Sequence, residues 1–113
     1  MRAIPKKMRD EMDADPFYHQ CVRSKEGGCS GRITWEHTFI YAGKQINEKW
    51  AIVPLCWFHH LGNGLVKWIG QWVAVNRMTE EDEKKYPRVD WGQLRKNLNK
   101  KHHEREGHPE RVS

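Results

Sequence analysis

The sequence predicts a single α+β domain, and three observations carry that reading. Apolar residues alternate with polar ones over 32–37, as a half-buried strand requires, and a short apolar run at 50–55 reads as a second strand. From residue 57 they recur at three- and four-residue steps, as amphipathic helices require. Cysteines and histidines cluster in the loops and turns of that first half, where a small core would need a staple. With 113 residues the chain falls in the range that folds as one unit, so 1–113 reads as one domain. Its core spans about 4–76, a helical extension about 77–105, and a frayed tail 106–113.

The elements follow in order. Ile4, Met8 and Met12 share four-residue spacing, which predicts a short helix over 4–13 with Pro5 in its first turn. Pro16, Gly27, Gly28 and Gly31 make 15–31 an irregular loop that needs a tie. Ile33 and Trp35 alternate with Arg32, Thr34 and Glu36, a strand over 32–37. A loop around Ala42-Gly43-Lys44 leads to a second strand over 50–55, where Pro54 belongs at an end or edge. Leu61, Leu65, Trp68, Trp72 and Val75 predict a helix over 57–76, weakened by Gly62 and Gly64. Thr79 caps a short acidic-led helix that Pro87 ends, and Asp90 caps a last helix over 91–104. Trp91, Leu94 and Leu98 form its buried side.

Composition narrows the function classes. Hydrophobic residues are 37% and charged residues 31%, with mean hydropathy −0.95, a thin supply for a core that six Trp partly offset. No apolar run approaches the roughly 18 residues of a membrane span, and the basic N-terminus lacks the apolar stretch of a signal peptide. The formal charge of +5 suits a polyanionic partner without requiring one.

Three cysteines leave one thiol over from any disulfide pairing, whereas reduced cysteines near histidines suit a metal. Cys21 and Cys29 lie in the irregular loop, and Cys56-x2-His59 lies where the second strand meets the helix. Together they offer zinc four ligands and tie the loop to the centre of the fold, with His19 as an alternative ligand. Seven residues between the first two cysteines exceed the common two to four.

A second group has a different chemistry. Glu36 and His37 end the first strand with side chains on opposite faces, and His60 points about 100° away from His59 on the helix. A carboxylate and an imidazole can hold a divalent cation with open water positions, and another imidazole can take a proton from water. These are the parts of metal-assisted phosphodiester hydrolysis.

The order of these residues resembles the HNH endonucleases. Arg9, Asp15-Pro16 and Cys21 follow the N-terminal helix; then come Trp35-Glu36-His37 and Val53-Pro54-Leu55-Cys56-x2-His59-His60. The resemblance covers about residues 4–66 and implies the ββα-metal, or His-Me finger, fold, flanked here by N- and C-terminal helices. It implies that His37 is the general base and that Glu36 and His60 bind the catalytic Mg²⁺ or Mn²⁺, with Asn63 as a third ligand. The cation would stabilise the leaving 3′ oxygen, giving 5′-phosphate and 3′-hydroxyl ends, while structural zinc sits apart. Three positions depart from the family pattern: Ala51 stands where the signature Asn is usual, His59 where Cys is commoner, and the first cysteine pair is wide. Asn47 is the candidate to replace that Asn in fixing the loop that bears the base. The stretch from Thr34 to His60 is most similar to phage Ref-type nucleases, which implies a DNA partner, a RecA filament and the bacterial cytoplasm as location.

The remaining candidates are less specific. Tyr41, Lys44 and Lys49 on the hairpin loop, and Lys100 and Lys101 near the C-terminus, are candidate nucleic-acid contacts. Residues 91–113 hold six Lys/Arg against three Asp/Glu, a surplus suited to phosphates. The Trp68 and Trp72 pair reads as core rather than base-stacking. Two rival readings remain: a zinc-stabilised DNA-binding module with idle Glu36 and His37, and a recombinase-docking protein with an exposed apolar helix face.

Overall fold

The computed structural model describes residues 3–24, 28–60 and 68–106. Helix α1 (Lys6–Asp13) begins after Pro5 and turns fully buried Met12 inward, as the four-residue spacing requires. A 3₁₀ turn, Pro16–His19, follows, opened by the Asp15 side chain accepting from the Phe17 N–H. Strand β1 (Ile33–His37) then pairs antiparallel with β4 (Ile52–Cys56), placing Ile33 opposite Cys56 and His37 opposite Ile52.

Between them, β2 (Ile40–Tyr41) and β3 (Lys44–Gln45) make a small hairpin inside the expected loop. Its two turn residues, Ala42 and Gly43, both have positive φ, 52° and 82°, the twist that closes two-residue hairpins. The second strand starts later than the apolar run suggested. Lys49–Ala51 form a 3₁₀ turn instead, because Trp50 is drawn into the aromatic core. Pro54 sits mid-strand opposite Trp35, which a two-stranded sheet tolerates because both strands are edges. Its carbonyl accepts the Val22 N–H at 3.0 Å and so holds the preceding loop against the sheet.

Helix α2 (Trp57–His60) continues directly from β4, and α3 (Trp68–Val75) resumes the apolar stripe. The expected helix over 57–76 is described only at these two ends; Leu61, Gly62, Asn63, Gly64 and Leu65 lie outside the described residues. Helix α4 (Glu80–Lys85) opens with a reciprocal capping box between Thr79 and Asp82. Helix α5 (Trp91–Glu106) is capped by Asp90, whose carboxylate accepts the Gln93 N–H at 3.0 Å. The tail beyond it also lies outside the described residues.

Three apolar clusters hold these elements. The largest gathers Ile46, Trp50, Val53, Val75, Trp91 and Leu98, with Phe39 and Tyr86 packed on it. Trp91 meets Phe39 and Trp50 edge-on at 5.4 and 5.6 Å, a favoured aromatic geometry. Trp68 and Trp72 are half-buried against this cluster, in keeping with the core reading. A second cluster joins Met12, Tyr18 and Ile52; a third is Cys21, Leu55 and Cys56. The fold is thus α+β, built on one short two-stranded sheet with helices packed around it.

Candidate functional site

Cys21, Cys29, Cys56 and His59 converge, although the sequence separates them by up to 38 residues. Their donor atoms all lie within 4.8 Å of one another. His59 Nδ1 is 3.3 Å from the Cys21 sulfur, 3.6 Å from Cys29 and 3.2 Å from Cys56. A tetrahedral zinc with arms near 2.3 Å to sulfur and 2.0–2.1 Å to nitrogen sets sulfur–nitrogen edges of about 3.6 Å. Cys21, Cys56 and His59 are buried and Cys29 is exposed. The cluster can therefore hold a metal, and its donor set suits zinc.

Local structure explains the convergence. The Trp57 N–H donates to the Arg32 carbonyl at 2.8 Å and the Phe58 N–H to that of Ser30 at 3.1 Å, pinning the loop to the start of α2. At Gly31 (φ 81°) any Cβ would come within 2.7 Å of the Trp57 Cβ, so only glycine allows this approach. Desolvation, then contact with Cys56 and Cys21, pushes the Cys29 thiol up to about 12. Burial works against ionisation of Cys56 as well, but the His59 and Ser30 backbone N–H groups outweigh it and hold that thiol down at about 6. Crowded thiols of this kind are suited to a shared cation. His19 is not part of the cluster; its Nε2 lies 2.7 Å from the Asp13 carbonyl.

One residue further on, His60 faces away from the sulfurs into a cleft of about 520 Å³. Glu36, His37, Thr38, Arg23 and Gln71 also line it. Glu36 and His37 alternate along β1 as expected, yet both reach this cleft, which wraps the end of a sheet only two strands wide. A Glu36 carboxylate oxygen lies 3.7 Å from His60 Nδ1. That is beyond hydrogen-bonding range and wider than the about 3.0 Å between adjacent ligands of an octahedral cation at about 2.1 Å, so the two side chains would have to close slightly to share one ion. His60 Nδ1 is buried with no hydrogen-bond partner among the described residues. Its ring lies parallel to Trp57, 5.4 Å between centroids.

His37 is held from the other side. Its Nε2 is 3.0 Å from Asn47 Oδ1, and Asn47 Nδ2 donates to the Ala3 carbonyl at 2.8 Å. Because the amide nitrogen is committed to Ala3, its oxygen faces His37 as an acceptor, so Nε2 carries the imidazole proton. Nδ1 is left as the lone-pair nitrogen, buried and without a partner among the described residues. Ala51, at the position where the HNH pattern has Asn, is fully buried. Its carbonyl accepts from the Thr38 N–H at 2.9 Å and the Thr38 hydroxyl at 2.7 Å, fastening the residue after His37.

The other candidates are scattered. Tyr41 packs edge-on against Tyr86, and its hydroxyl accepts the Arg88 N–H at 3.1 Å. Lys49 lies 3.4 Å from Glu11, whereas Lys44, Lys100 and Lys101 are exposed. Asn63 lies outside the described residues. Two residues of this region carried no signal in the sequence: Arg23, buried in the cleft wall, and Trp57, exposed beside His60. The aromatic position inside Cys56-x2-His59 is the only hint that could have marked Trp57.

The geometry defines an α+β protein with a Cys₃His cluster able to hold a metal and an acidic–imidazole cleft next to it. No family model, no curated protein and no solved structure matches the chain. No described helix is long and apolar enough to cross a membrane.

Proposed function

We propose that the protein is a metal-dependent HNH endonuclease that hydrolyses DNA phosphodiester bonds. The observation that carries this reading is the meeting of Glu36, His37 and His60 in one cleft, with Asn47 clasping His37. Two strands followed directly by α2 support the ββα-metal fold that the resemblance implies.

The roles follow from the atoms. Asn47 Oδ1 fixes the Nε2–H form of His37, and the free Nδ1 takes the proton of a water attacking phosphorus. Asn47 also stabilises the imidazolium that results, since its carbonyl oxygen faces the positive ring. Glu36 and His60 are the residues to hold the catalytic Mg²⁺ or Mn²⁺, Asn63 being the resemblance's third ligand. When bound, that cation supplies Lewis-acid stabilisation of the leaving 3′ oxygen. Cys21, Cys29, Cys56 and His59 hold zinc in a purely structural role. Lys44, Lys100 and Lys101 contribute exposed positive charge toward the DNA backbone. The resemblance to Ref-type nucleases adds a phage protein working in the bacterial cytoplasm on DNA marked by a RecA filament.

The test is nicking of supercoiled plasmid and cleavage of single-stranded circles, with and without Mg²⁺ or Mn²⁺, beside a His37→Ala variant. A RecA filament forms a separate arm. Cation-dependent cleavage that the variant loses is the expected result, and cleavage restricted to the filament arm supports the Ref-type assignment. Zinc-loaded, folded protein that cuts nothing in any arm refutes the nuclease and favours the binding module.

A further inference from the structure

We propose that Trp57, with Arg32 beside it, is a stacking platform for an unpaired nucleobase, which makes single-stranded or locally unpaired DNA the preferred substrate. This deepens the nuclease reading and rests on it. Trp57 is 42% exposed, one of two large apolar side chains that stand in water among the described residues. It is nonetheless rigidly mounted: it sits between two of the four convergent ligands, Cys56 and His59, and its backbone is bonded to Arg32. Gly31 closes against its Cβ. Core packing does not account for an indole held out in this way.

Its surroundings are those of a nucleotide-binding surface. The Arg32 guanidinium carbon lies over the indole, 5.7 Å from its centroid and within cation–π range; on binding it would turn to a phosphate and leave that part of the ring to a base. Every base has a face that stacks on an aromatic ring, so an aromatic–arginine pair binds single strands with little sequence preference. In a duplex both faces of a base are covered by its neighbours, and only an unpaired or terminal base can offer one. The parallel His60 ring, 5.4 Å away, sets the distance to the reaction. A base on Trp57 belongs to a nucleotide beside the one whose phosphate reaches Glu36 and His60.

The experiment couples Trp57 to a base. Zinc-loaded His37→Ala protein, which should not cut, is titrated in Mg²⁺ against a short oligothymidylate carrying one abasic site scanned along its length. The same titrations are run with Trp57→Ala added, and with a duplex of the same sequence. Removing either the ring or the correct base should weaken binding roughly tenfold, and removing both should weaken it little further. Trp57→Phe should recover part of the binding and Trp57→Leu none, with zinc content unchanged in each. Binding to the duplex should change less than about twofold, since only the single strand stacks. Additive losses at every abasic position, or equal losses on duplex and single strand, would overturn the platform. Cleavage by the otherwise wild-type chain separates the two readings. Coupling without any cleavage sustains the platform and refutes the nuclease; cleavage without coupling refutes the platform alone.

Discussion

His59 and His60 are neighbours in the chain, yet they serve regions of opposite character. His59 is 2% exposed and surrounded by three sulfurs, a closed set of four donors. His60 is only partly buried and faces a single carboxylate across 3.7 Å, at the edge of a cleft. A closed set leaves no room for a reactant and so organises structure; an incomplete set leaves positions for water or a phosphate oxygen. The angular step between consecutive helix residues lets one turn of α2 serve both. Stability and chemistry are thereby separable by mutation.

The sharpest way to break this contrast is to remove a ligand from the closed set. Cys56→Ser should abolish stoichiometric zinc and with it cooperative unfolding. A structural zinc contributes about 10–16 kcal/mol in small peptides, and little in this thin core can replace it. Circular dichroism melts beside zinc analysis would show this; a variant that melts like the parent would show that the cluster is dispensable.

On the open side, the proposed nuclease requires that His37→Ala lower cleavage about 10²–10⁴-fold while leaving the melting temperature and zinc content alone. Initial rates on plasmid measure it. An Asn47→Ala change should cost roughly tenfold to a hundredfold, through loss of the fixed ring orientation rather than of the base itself. Ring ¹⁵N spectra of His37 supply the second readout: the Nε2–H form should dominate in the parent and give way to mixed tautomers in Asn47→Ala. The smallest effect is expected remote from both regions. His102 stacks flat on Trp72, 3.7 Å between centroids, clasping α5 to α3. His102→Ala should destabilise by about 0.5–1.5 kcal/mol in denaturant titrations, without changing cleavage.

Much of this was legible because the signals are local. The four-residue spacing of Met8 and Met12, the Thr79 and Asp90 caps and the alternation through Trp35 each act within a few residues. The metal cluster was legible too, since a short Cys56-x2-His59 pair beside two further reduced thiols has few other uses. What stayed hidden depends on distant packing. Trp50 and Ala51 look like strand residues, but Phe39 and Trp91 draw Trp50 into a 3₁₀ turn. Arg23 gives no sign of burial in a loop rich in glycine; its neighbour Val22 is fastened to Pro54, 32 residues further on. Asn47 was marked only through the family pattern, as a stand-in for the Asn missing at Ala51; nothing local shows that its amide also reaches Ala3, 44 residues away.

The most direct measurement pairs metal analysis with cleavage on a Glu36→Gln, His60→Ala double variant. The division between a closed and an open site predicts the parent's full zinc content in this variant and no Mg²⁺- or Mn²⁺-dependent cleavage. Loss of zinc from the variant, or cleavage at the parent's rate, would contradict it.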